Sequence, residues 1–201
     1  MNIDTTEGLR ELYGAPSGRA SKKELSSLDK HAANFIRKSP FLVLSTCDLN
    51  GKMDASPRGG APGFVHILNE NQILIPDSKG NNRVDSLSNI VATGRVGMLF
   101  LIPGMDETLR LNGSAVVSSN PEFLTLFSEE KNPPKTCIVV SIEEVFLHCA
   151  KAFMRSKLWS EESKIERSEM PTMGQMLNEQ IGSFEKVESQ EDMVQRYQDD
   201  L

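Results

Sequence analysis

Pro40-Phe-Leu-Val-Leu-Ser-Thr-Cys-Asp-Leu-Asn-Gly-Lys-Met-Asp-Ala-Ser-Pro57 is the stretch that decides the fold. Phe41–Thr46 is a short apolar and β-branched run. Asp48-Leu-Asn50-Gly51 follows as a turn signal, because Asn-Gly supplies positive φ at little steric cost. Met53–Pro57 then reads as the returning antiparallel strand. The same texture recurs downstream. Phe64–Leu68 and Gln72–Ile75 flank Asn69-Glu-Asn71, and Arg95–Ile102 and Thr108–Val117 flank Pro103-Gly104. Lys135–His148 supplies one more long strand. Hairpin-length connections dominate over helix-length crossovers, which predicts an antiparallel barrel or sandwich rather than a parallel α/β sheet.

Helical signals surround this series. Residues 1–38 read as polar and helical: Ser21-Lys-Lys-Glu24 has capping-box spacing, and Leu25, Leu28, Ala32, Phe35 and Ile36 follow at helical intervals. Lys38-Ser39-Pro40 ends that helix, since a residue before proline avoids the helical region. Val84, Leu87, Ile90 and Val91 share a helical face, with Gly94 as the stop. Asn120-Pro121-Glu122 combines a cap, a proline at the first helical position and an acid in the first turn. Beyond Trp159 the chain is acidic and helix-prone, with Pro171–Leu177 its best-patterned part. The division is therefore 1–38 as a helical segment packing on a barrel, 39–159 as the barrel, and 160–201 as an acidic extension.

The 201 residues are 38% hydrophobic and 25% charged, an ordinary globular composition. The formal charge of -6 is unevenly spread. Residues 160–201 hold 4 basic against 11 acidic side chains, while the rest of the chain is balanced at +1. No basic surface predicts nucleic-acid binding. The longest apolar run, Val96–Met105, is too short for a membrane span. The amino terminus lacks the basic and apolar regions of a signal peptide, and three cysteines without CxxC spacing fit reduced thiols in a cytoplasm.

No GxGxxG, GxxxxGK, GxSxG or HExxH pattern occurs. His31, His66 and His148 show no ligand spacing, so no metal site is expected. Two loops carry the chemistry. Ser56-Pro-Arg58-Gly-Gly-Ala-Pro-Gly63 breaks a strand with three glycines, two prolines and an arginine. Pro76-Asp-Ser-Lys79-Gly-Asn-Asn-Arg83 leaves a strand and enters a helix, gathering backbone N–H groups, amides and two cations where an anion such as phosphate is favoured. The alternatives are a wide turn with a solvated Arg58 and a polar turn with a surface Arg83.

Four segments in order resemble the pyridoxamine 5'-phosphate oxidase-related FMN-binding proteins: Met53–Val65, Ile75–Leu87, Glu107–Gly113 and Cys149–Trp159. The likeness covers roughly residues 30–160. It implies a mainly β fold, a split β-barrel of antiparallel Greek-key type with flanking helices. It also implies a homodimer that holds FMN non-covalently between subunits. Carried over by position, Ser56 and Arg58 line the flavin, and Pro76 and Asp77 lie beside the ring and ribityl chain. Asn81, Asn82 and Arg83 bind the phosphate. Thr108 and Arg110 lie on a strand that reaches the cofactor, often from the partner chain. Lys151, Arg155 and Trp159 close the flavin edge.

The resemblance implies an FMN-dependent oxidoreductase that passes a hydride between flavin and a small-molecule substrate. A flavin store or sensor, and a haem-binding split barrel, are the alternatives. Two departures separate the chain from the name-giving enzyme. Its end, Gln190–Leu201, lacks an Arg-Leu-His type element, and Ser56 stands where that enzyme bears a phosphate-binding arginine. Vitamin B6 oxidase activity is therefore not expected.

Overall fold

The computed structural model describes residues 2–16, 18, 22–183 and 186–200. Seven strands form one antiparallel sheet: β1 (Phe41–Cys47), β2 (Met53–Gly59), β3 (His66–Asn69), β4 (Gln72–Pro76), β5 (Arg95–Leu101), β6 (Thr108–Ser118) and β7 (Cys137–His148). Their spatial order is β2-β1-β5-β6-β7-β4-β3. The β1–β2 and β3–β4 hairpins thus sit at opposite edges, and residues 60–65 must cross between them. That crossing is tied down at both ends: Gly60 N–H donates to Pro40 O at 3.1 Å, and Val65 is buried. All six sequence-read hairpin strands and the seventh long strand are present, each within a few residues of its expected ends.

The strands pair as their patterns require. Leu42, Leu44 and Thr46 of β1 point inward, alternating with half-buried Val43, Ser45 and Cys47. Side-chain alternation places the first set on the core face. There they meet Val96, Met98 and Phe100 of β5, and Leu109, Leu111 and Ala115 of β6. β7 reads as an unbroken buried run at its start, because both of its faces are covered. Ile138 and Val140 join the main core, while Cys137 and Val139 join a second cluster with Leu74 and Phe127. A bulge between Asn112 and Gly113 lets β6 follow β7 around the bend. A Cβ on Gly113 would lie 2.1 Å from Ser141 O, so only glycine fits there.

Two helices plug the core face. α2 (Lys30–Lys38) inserts Ala32, Phe35 and Ile36, each at most 5% exposed. Burying Phe35 and Ile36 stabilises by about 1.5–3 kcal/mol per side chain. The Asp29 carboxylate caps it, accepting from His31 and Ala32 N–H. The start expected at Ser21 is not found. Ser21 itself lies outside the described residues, and Leu25 instead makes a β-bridge to Val145. A short helix α1 (Thr6–Tyr13) precedes it, with no buried residue.

α3 (Asp85–Thr93) stops at Gly94 as expected, in the left-handed region at φ 64°. Its buried residues are Ser86 and Ile90, however, while Val84 and Val91 are exposed. Period-3.6 counting mistook a solvent-facing valine for a core one, because Ser86 replaces it by hydrogen-bonding inward. In the first turn after β1, Gly51 alone takes positive φ (79°), and the Asp48 side chain accepts from Asn50 and Lys52 N–H. The turn is therefore organised by Asp48 rather than by an Asn-Gly pair.

The remaining helices are α4 (Pro121–Leu124), capped by Asn120 as read, α5 (Lys151–Ser156), α6 (Met173–Ile181) and α7 (Gln190–Asp200). The end of α7 lies on the barrel. Lys131 Nζ donates to Gln198 O at 2.9 Å, Asn132 Nδ2 donates to Asp200 O at 3.1 Å, and Lys79 pairs with the Asp200 carboxylate. Donors placed at a helix C-terminus satisfy carbonyls that have no partner within the helix. No described helix is long and apolar enough to cross a membrane.

Candidate functional site

β2 builds one wall of a polar groove. Asp54, Ser56 and Arg58 alternate along it and are half-buried, while the residues between them are exposed. Both ends of this row are anchored. Ser86 Oγ donates to Asp54 Oδ2 at 2.6 Å, and Arg58 Nη1 donates to Asp77 Oδ1 at 2.8 Å. Asp77 is fixed in turn by its own N–H, which donates to Thr136 O at 3.0 Å. Ser56 lies between these anchors and so faces the connection from β4 to α3.

That connection is the second wall. Asn81 Oδ1 accepts from Arg83 N–H at 3.1 Å, closing an Asx turn. Asn82 and Val84 both take left-handed conformations, at φ 60° and 52°. Such a value is common enough for asparagine but an outlier for β-branched valine, which costs about 1–2 kcal/mol. Val84 sits at the N-cap of α3 and offers no side-chain acceptor to the first-turn N–H groups. The helix therefore opens with uncapped donors and the positive end of its dipole. Arg83 stands beside this opening, largely exposed, with Nε donating to Asp85 Oδ2 at 2.9 Å.

One donor of the groove lacks an acceptor. Arg58 is only 17% exposed in its side chain, and its Nε is buried without a hydrogen-bond partner. A buried donor left unpaired costs about 1–3 kcal/mol, so this atom is set for an acceptor that the chain does not provide.

Of the expected residues, Arg58 and Asp77 are in direct contact, Ser56 shares Arg58's strand face, and Pro76, Asn81, Asn82 and Arg83 lie at the end of β4 and on the connection that Asp77 begins. Thr108, Arg110, Lys151, Arg155 and Trp159 do not join them within one chain. Arg110 is on the opposite sheet face, where its Cζ lies 5.4 Å from the Phe146 ring centroid. Thr108 is buried at 4% exposure. Lys151 and Arg155 are exposed on α5. Trp159 stacks on Phe153 at 5.6 Å and donates Nε1–H to Met105 O at 2.9 Å. Among the described residues, no hydrogen bond or ion pair joins this second set to the groove.

The opposite face also carries a shallow concavity of about 390 Å³, lined by Ser45, Cys47, Met53, Gly97, Arg110 and Asn112 among others. Gly97 leaves room there for the Asn112 amide, whose Oδ1 is 3.1 Å from where a Cβ would stand. Exposed Phe41 and Met53 flank it. Sequence reading passed over Asp54 and Ser86. The period-2 spacing of Asp54 with Ser56 and Arg58 is the signal that could have found the first.

A family model for pyridoxamine 5'-phosphate oxidase matches residues 28–149, more than half of the sequence. The chain belongs to the pyridoxamine 5'-phosphate oxidase family. One solved structure of TM-score above 0.5 shares the fold. A variant of HupZ from Group A Streptococcus is 13% identical and superposes with a TM-score of 0.51, over 60% of this chain and 98% of its own. A pyridoxamine 5'-phosphate oxidase-related, FMN-binding protein from Nostoc punctiforme is 13% identical over 61% and 85%, with a TM-score of 0.44. The FAD-binding protein of Mycobacterium smegmatis is 10% identical over 62% and 97%, at 0.43. At these identities the likeness is one of fold, and HupZ carries it. No curated protein matches the sequence. The split β-barrel with flanking helices expected from the sequence is the fold of this family member.

Proposed function

We propose that the protein is a flavoprotein that binds FMN in the polar groove and works as a homodimeric oxidoreductase on a small-molecule substrate. One observation carries the proposal: the buried, unpartnered Nε of Arg58 in a groove whose other wall opens on the uncapped start of α3. An anionic cofactor rich in acceptors fits an unpaired guanidinium N–H beside an uncapped helix start. The strained Val84 supports the same assignment, since strained backbone is concentrated at ligand sites.

In this reading the start of α3, with Asn81, Asn82 and Arg83, holds the phosphate, whose charge is about -2 near neutral pH. Ser56, Arg58, Pro76 and Asp77 run along the ribityl chain and ring. Binding redirects Arg58 from Asp77 alone to Asp77 and the ligand. The bound flavin would supply hydride chemistry. The chain's own part is to orient it, exclude water and stabilise negative charge at the ring edge. Thr108, Arg110, Lys151, Arg155 and Trp159 complete the site from a second copy. Support for that copy comes from the opposite sheet face, with its concavity and the exposed Phe41 and Met53. Three free thiols support a cytoplasmic location.

A visible spectrum of the purified protein, after reconstitution with FMN, tests the reading. Oxidised-flavin bands that bleach on anaerobic addition of NADH or NADPH are expected. A Soret band, or no flavin retained after reconstitution, would overturn it. Flavin that no reductant bleaches would keep the binding and remove the enzyme. A monomer mass with FMN bound would remove the shared site.

A further inference from the structure

Phe146 of β7 is buried at 8% exposure, yet three basic side chains surround its ring. Lys23 Nζ lies 4.5 Å from the ring centroid, Arg110 Cζ 5.4 Å, and the His148 imidazole centroid 5.0 Å. Lys23 is held in place because Nζ also donates to Leu147 O at 3.0 Å. None of the ion pairs among the described residues involves any of the three. The acid on the same strand face, Glu144, is engaged elsewhere, with Oε2 accepting from Asn112 Nδ2 at 2.9 Å. The 22–25 segment and β6 thus each bring a cation, and β7 an imidazole, to one aromatic anchor, with neither cation in an ion pair among the described residues.

The local field is strong enough to act on His148. Burial first, then Lys23 and Arg110, hold its pKa below the usual histidine value. Gathering like charges without a partner is unfavourable unless something negative completes the cluster. Guanidinium and ammonium groups together give charge-assisted hydrogen bonds to planar or tetrahedral oxyanions.

We propose that Lys23, Arg110 and His148, mounted around Phe146, form a binding site for a small oxyanion, a carboxylate or phosphate group carried by a ligand. Arg110 is shared with the proposed flavin site, so the test is run on the cofactor-free chain, where its failure leaves FMN binding by the groove untouched. Lys23 and Arg110 are both exposed and can reach such a ligand.

The test follows His31, His66 and His148 by NMR through a pH titration of the full chain. Inorganic phosphate and acetate are added separately, with chloride holding ionic strength constant. An oxyanion that binds the cationic cluster displaces the His148 midpoint upward and saturates. Lys23→Met and Arg110→Gln, which keep the apolar stems over Phe146, should lose that displacement while His31 and His66 remain unchanged. A response to phosphate alone assigns a phosphate ligand, and a response to acetate alone assigns a carboxylate. No displacement beyond the chloride control would overturn the proposal. So would equal movement of all three histidines, or an undiminished response in both variants.

Discussion

Replacing Asp77 by Asn should destabilise the protein more than replacing Arg58 by Met, although both break the same ion pair. The pair is joined at 2.8 Å, with side chains 17% and 24% exposed. In Asp77→Asn the guanidinium keeps its charge and loses its counter-charge, while Nε is already buried without an acceptor. Breaking a fully buried pair from one side costs about 3–5 kcal/mol. Partial exposure lets water recover some of that, leaving roughly 1–3 kcal/mol.

In Arg58→Met the buried donors disappear with the charge, the stem packing is kept, and the carboxylate left behind can hydrate. That change should cost less than about 1 kcal/mol. Urea unfolding of the cofactor-free protein, followed by circular dichroism, measures both. With a slope of about 1–3 kcal/mol per M, Asp77→Asn should lower the midpoint by roughly 0.5–1.5 M. Arg58→Met should barely move it, and the double variant should resemble Arg58→Met. Equal losses, or a larger loss in Arg58→Met, would refute the claim that the groove holds an under-satisfied guanidinium.

Other expectations concern the groove, the sheet and the tail. Arg83→Ala should weaken FMN by about 10–100-fold, the worth of one charge-assisted hydrogen bond, and leave riboflavin within about 2-fold. Equal loss for the two ligands, measured by fluorescence quenching, would show that Arg83 does not read phosphate. Gly113→Ala must push a Cβ into Ser141 O, so a loss of at least about 3 kcal/mol is expected. Gly59→Ala, whose nearest neighbour is Pro40 O at 3.4 Å, should unfold close to the wild-type temperature. The pKa of His148 is depressed on folding, so the unfolded chain holds the proton in a pH range where the native one does not. Its contribution should therefore weaken stability as pH falls through and below 6.5, and Lys23→Met should lessen that weakening in urea titrations run across the range. Asp200→Asn frees Lys79 from the tail. The pair is exposed, so the cost to stability should stay under about 1 kcal/mol, while limited proteolysis should cut near α7 sooner.

Local chemistry was legible wherever neighbours in sequence are also neighbours in space. The hairpin strands, the stop at Gly94 and the Asn120 cap need only alternation, turn residues and local hydrogen bonds. The order of strands was not legible, because pairing β1 with β5 and β4 with β7 depends on contacts far apart in the chain. The first helix failed for the same reason: Leu25, which fits a helical repeat, is taken by Val145 across the sheet.

The site divides in the same way. The sequence by itself determined that a charge-balanced body carries an acidic extension and that residues 76–83 run from a strand into a helix start. Only the tertiary structure decided that Arg58 spends one N–H on Asp77 and leaves Nε unpaired, since that depends on how deeply β2 is covered. It likewise put Arg110 on the opposite face from the groove, beside Phe146, Lys23 and His148. Strand alternation tells which residues share a face. Which face meets the groove, and which cations meet one another, is fixed by the closure of the sheet.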